Sequence, residues 1–197
     1  MNTEHNIYET PESELIISKS GLSGNANQFY VVSPVKYWVL FIATLGMYSI
    51  YWFYKNWQLY KISHELGIWP IPRAIFNIFF VHSLFRNIRE CTEKDSHVYQ
   101  LATANMATLY VVCAILSNFS DRILETALGL QLSTLASIVL LIISGYALYK
   151  GQVAINLVSS DPDGKTNSSF GIANILWILF GLLLWALVII GMFIEKI

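Results

Sequence analysis

The chain has 197 residues, of which 55% are hydrophobic and 13% charged, with a mean hydropathy of +0.51. So few ionic groups cannot clothe a soluble globule of this length, so the composition is that of a membrane protein. A formal net charge of −1, with no basic tract interleaved with aromatics, excludes a nucleic-acid partner.

Residues 1–30 read as a polar, acidic N-terminal tail that lacks the basic start and apolar stretch of a cleavable leader. Residues 31–197 read as one all-α membrane domain. Ser33 and Pro34 open its first helix, since proline is tolerated where the helical N–H would be unpaired anyway. The run Tyr37 to Tyr54 is uncharged and 18 residues long, about the minimum for a hydrocarbon core of roughly 30 Å. Six of the ten residues from Tyr48 to Trp57 are aromatic, and Lys55 and Lys61 lie at the end of this stretch, the pattern of an interfacial belt. This is the first expected span.

Pro70 and Pro72 then break the chain, and a new element begins at Pro72. Only 12 residues separate Arg73 from Arg86, about 18 Å of helix, too short to cross. An interfacial or re-entrant helix is expected here, the alternative being a fifth span that would put the N-terminus inside and split the basic residues seven to five. Arg73, Arg86 and Arg89, with Asn77 and His82 between or beside them, are candidate ligands for a lipid headgroup or another anion, because guanidinium groups grip phosphate in pairs of hydrogen bonds. The alternative is a plain structural anchor.

A charged loop from Arg89 to His97 leads to three further expected spans: Val98 to Ser120, Thr126 to Tyr149 and Phe170 to Ile194. Asp121, Arg122 and Glu125 mark a turn between the first two of these, and Asp161, Pro162, Asp163 and Gly164 mark a turn before the last. With four spans, eight Lys and Arg residues fall on one side and four on the other, which places the eight in the cytoplasm and both termini outside.

The stretch from Thr44 through Gly46, Tyr48, Tyr51 and Trp52 to Trp57, with Asp161, Pro162, Gly164, Asn167 and Asn174 later on, resembles a family of small, uncharacterised bacterial inner-membrane proteins with a T-L-G-x-Y-x-x-Y-W motif in the first span. The resemblance implies a multi-pass protein of the bacterial inner membrane and carries no chemistry.

Polar residues within the spans are amides and hydroxyls. Asn105, Ser133, Ser137, Ser144 and Asn174 are candidates for helix packing or pore lining, and Gly181 and Ala186 for close helix approach. His64, His82, Cys91 and His97 match no metal-ligand spacing, and neither a nucleophile beside a base nor paired carboxylates are present. No enzyme activity and no cofactor are expected. The favoured function is a non-enzymatic interaction or assembly module, whose partners are membrane lipids and either further copies of the chain or another membrane protein. An oligomeric channel, transporter component or lipid-handling protein with its pathway between subunits is the alternative.

Overall fold

The computed structural model describes residues 28–91 and 104–194, so most of the acidic tail and nearly all of the loop after Arg89 lie outside it. Among the described residues the fold is all-α: α1 (Pro34–Ala43), α2 (Tyr48–Ser63), α3 (Pro70–Ile75), α4 (Asn77–Glu90), α5 (Ala104–Leu128), α6 (Leu130–Val158), a 3-10 turn (Lys165–Asn167) and α7 (Ile172–Ile194). Two helical stretches are long and apolar enough to cross a membrane, Gln131–Val158 and Ile172–Phe193.

The first expected span is not one helix. Ser33 caps α1 as predicted, its hydroxyl accepting from Lys36 N at 3.3 Å ahead of Pro34. Ten residues later the chain turns back at Thr44–Met47. Leu45 N donates to Ile42 O at 3.1 Å and Gly46 N to Phe41 O at 2.8 Å, the paired bonds of a Schellman ending, with both residues at positive φ (51° and 82°). Thr44 stitches the two arms: its hydroxyl donates to Leu40 O at 2.7 Å and accepts from Tyr48 N at 3.0 Å.

From this tip α1 and α2 run back beside each other. The rings of Tyr37 and Tyr48 are 6.1 Å apart, Tyr30 N donates to Asn56 Oδ1 at 3.0 Å, and Phe29 stacks on Tyr60 at 5.7 Å. The two helices are therefore a hairpin whose arms begin and end at the same level. Most of the aromatic cluster of α2 is accordingly turned inward, while Tyr51 stays exposed and Tyr54 half-buried. Tyr48, Trp52, Phe53 and Trp57 are 5% exposed or less, because the returning arm turns that face onto the rest of the protein.

Both prolines of the next element lie in its first turn, so α3 starts at Pro70 rather than Pro72. The helix breaks at Phe76, where Asn77 Nδ2 donates to Ala74 O at 3.0 Å, and resumes as α4 to Glu90. Val81, Leu84, Phe85 and Ile88 form the buried stripe of α4, at the i, i+3, i+4, i+7 spacing of an amphipathic helix. Phe85 packs on Gly151 of α6, where even a methyl group would lie 2.7 Å from its ring.

The turn expected at Asp121, Arg122 and Glu125 is absent. Helix α5 continues through them to Leu128, and the break falls instead at Gly129, whose φ is 80°. Three charges do not stop a helix, since Arg and Glu form helices readily and Asp disfavours them only slightly; a glycine at positive φ does. Helix α6 runs on past Tyr149 to Val158, and Asp161 to Gly164 makes the predicted turn, with Gly164 N donating to Asp161 O at 2.9 Å. Helix α7 is apolar on nearly every face, and Leu176, Leu183, Leu187 and Phe193 are among its exposed side chains. An exposed apolar surface of this extent marks a contact with a membrane or another protein.

Candidate functional site

The polar end of the hairpin is organised around an irregular stretch, Tyr30 to Val32, whose peptide groups have no helix or sheet to satisfy them. Buried peptide groups must find partners, and here side-chain amides supply them. Asn156 meets Val32 twice, accepting from its N at 3.4 Å and donating to its O at 2.9 Å. Gln152 Nε2 donates to Tyr30 O at 3.1 Å and to Asn156 Oδ1 at 2.7 Å, while its Oε1 accepts from the Trp52 indole. Asn56 takes Tyr30 N and Asn167 Nδ2 donates to Val31 O at 2.8 Å. Asn56, Gln152 and Asn156 are each 1% exposed or less. Together these amides bind the start of α1 to α2, to the end of α6 and to the loop before α7.

Lys36 extends the same cluster. It is 4% exposed, so it does not snorkel to solvent as its place near a helix start would suggest. Its ammonium donates to Asn167 Oδ1 at 2.6 Å and to Ser169 O at 2.7 Å. With its amide oriented to offer oxygen, Asn174 accepts the third bond at 3.2 Å. Three donors thus meet three oxygens, which is what makes a buried ammonium tolerable without a carboxylate. Asp161 closes the loop beneath: its carboxylate accepts from Thr166 N at 2.9 Å, Thr166 Oγ1 at 2.7 Å and Lys165 N at 2.9 Å. Those bonds, from Thr166 first, hold the carboxyl below its ordinary pKa.

At the other end of the hairpin, beneath its tip, lies a cavity of about 420 Å³ between α5, α6 and α7. Leu45 forms part of its wall with Ser117, Thr134, Ser137, Ser144 and Trp185. The tip is held there by two contacts to α7. Trp185 Nε1 donates to Ile42 O at 2.9 Å, and Gly181 lies so close to Ala43 that a Cβ would collide with its carbonyl oxygen.

The candidate anion ligands do not converge. Arg73 is sandwiched between Trp57 and Phe80, 4.5 Å and 5.0 Å from the ring centres. Arg86 points outward and pairs with Glu90 at 3.8 Å, and Arg89 lies half-buried on the last turn of α4. His82 Nε2 lies 3.0 Å from Thr108 Oγ1, and Asn77 Oδ1 accepts from Tyr110 at 2.7 Å, so both tie α4 to α5. Of the packing candidates, Ser137 and Ser144 line the cavity, and Ser144 also donates to Leu141 O at 2.8 Å. Ser133 is buried near the start of α6, Asn105 is exposed on α5, and Asn174 serves Lys36.

Sequence reasoning missed Gln152 and Asn156 altogether. Their signal was an amide pair four residues apart on an otherwise apolar helix, just beyond the segment assigned to the bilayer. Among the described residues no three His, Cys, Asp or Glu side chains gather where they could hold a metal. His64 is engaged by Ser63 and Tyr60, and the Cys91 thiol by Gln28 and Asn87 O. No protein-family model, curated protein or solved structure matches the chain.

Proposed function

We propose that the chain is a multi-pass protein of the bacterial inner membrane in which α5, α6 and α7 cross, α1–α2 dips in and returns, and α3–α4 lies at the surface. The hairpin is the observation that carries this reading. Because its arms share one level, the tail, α3–α4 and the loop before α7 all fall on one side. Of twelve Lys and Arg residues only Arg122 and Lys196 then lie on the other side. That bias is far stronger than the eight-to-four split of four simple spans, and it supports an N-terminus and an amide cluster on the cytoplasmic side.

In this arrangement the protein serves as a non-enzymatic interaction or assembly module. Its buried amides are spent on holding backbone, and Arg73, His82 and Asn77 on joining helices, which supports a scaffold rather than a reaction centre. Reconstituted protein should run as one defined assembly in mild detergent and pass no ions above empty liposomes.

The second reading is a channel or lipid-handling protein, and the hydroxyl-lined cavity under Leu45 favours it. Flux that changes with Ser137→Ala or Thr134→Val would select this reading and overturn the module.

A further inference from the structure

Helix α2 turns Ile50, Tyr51 and Tyr54 toward Ile71 and Ile75 of α3, and Trp177 of α7 closes the far side. Between them is an apolar cleft of about 340 Å³, floored by the buried Ala74. Its walls are almost free of polar atoms, so water gains nothing there, and the volume is at the lower end of what small-molecule sites enclose. The cleft runs from Met47, beside the hairpin tip, toward the cytoplasmic end of α2, and α7 brings its exposed apolar surface right to the edge.

The rim is basic. Lys55 Nζ lies 6.0 Å from the Tyr51 ring centre, and Lys61 borders an adjoining hollow with Trp69, Pro70 and Pro72. Ile71 lines both hollows, so they adjoin across one side chain. Neither Lys55 nor Lys61 forms an ion pair with another described residue.

We propose that this cleft holds an acyl chain of an anionic glycerophospholipid from the cytoplasmic leaflet, with its phosphate drawn to Lys55 and Lys61. The inference rests on the membrane arrangement proposed above. An apolar slot open to α7, deep at one end and basic at the other, matches the one molecule of the bilayer that is apolar for most of its length and anionic at its head. A Lys or Arg near an anionic headgroup is worth about 1 kcal/mol, or about fivefold in occupancy.

The test is photocrosslinking of the full chain in nanodiscs of phosphatidylcholine and phosphatidylglycerol, with a diazirine on the acyl chain of one lipid or the other. Adducts from the phosphatidylglycerol probe should concentrate at Tyr54, Ile71, Ile75 and Trp177, and exceed those from the phosphatidylcholine probe several-fold. Lys55→Gln with Lys61→Gln should remove that excess and bring the yields of the two probes level. Equal yields from the two probes, or adducts no denser in the cleft than at Leu183 and Leu187, would overturn the proposal while leaving the membrane arrangement intact. Adducts joining two protein chains at the cleft would overturn it in favour of a second copy as occupant. If α7 takes no lipid adduct anywhere, it is the membrane arrangement that fails.

Discussion

Asn156 supplies both a donor and an acceptor to Val32, which is fully buried, and so does for one residue what a neighbouring β-strand would do. Asn156→Leu keeps the bulk but strands the Val32 N–H and C=O and an amide hydrogen of Gln152. It should cost about 2–4 kcal/mol, read as a lower thermal midpoint in mild detergent, since an orphaned buried polar group costs about 1–3 kcal/mol. An exposed amide such as Asn118, whose side chain donates to Ala114 O in its own helix, should tolerate the same change. Asp161 adds a pH dependence of known sign. Its folded pKa lies below the unfolded value, so its stabilisation is complete above the unfolded value and is lost as pH falls through the folded one. Asp161→Asn should therefore lower stability in the neutral region, flatten the acid limb of the profile and converge with the unaltered protein at low pH. A profile that steepens below pH 4 in the variant would contradict this.

At the scale of elements, the hairpin depends on its tip. Gly46 has φ 82° and a Cβ there would sit 2.8 Å from Leu141 Cδ1, so Gly46→Ala should cost about 1–2 kcal/mol from backbone alone and Gly46→Val more. Gly181→Leu should also lower the thermal midpoint, by driving α7 off the Ala43 carbonyl. If Gly46→Val and Gly181→Leu both melt as the unaltered protein does, the tip does not dock on α7. Much of the helical content was legible: Ser33–Pro34, the paired prolines, the Asp161–Gly164 turn and the apolar α7 all follow from local chemistry. The turn at 44–47 was not, because its left-handed position holds Leu45 where a glycine is the usual sign, and Gly46 sits one residue later. Helices α2 and α6 end the same way, at Glu65 (φ 51°) and Ser160 (φ 58°), each closed by the same pair of backbone bonds. Composition also hid the aromatic cluster's direction. Tyr and Trp suit a lipid interface and a buried core equally well, and only the returning arm decides between them. The candidate site was less legible still, since the amides of Gln152 and Asn156 acquire their meaning from Tyr30 and Val32, more than 120 residues away in sequence.

For the whole molecule, everything from the sidedness of the basic residues to the lipid cleft depends on whether α1–α2 crosses or returns. A hairpin of ten residues in its first arm descends about 15 Å, roughly half of the hydrocarbon core, and the clamp at Tyr30–Val32 brings its two ends together. The most direct measurement is labelling of single cysteines by a membrane-impermeant maleimide on intact spheroplasts, in a background lacking Cys91 and Cys113. Ser23→Cys, Ser63→Cys and Thr166→Cys should all be protected until the membrane is opened, and Lys196→Cys should label at once. Labelling of Ser23→Cys with protection of Ser63→Cys would mean that the first two helices cross, and would contradict the hairpin.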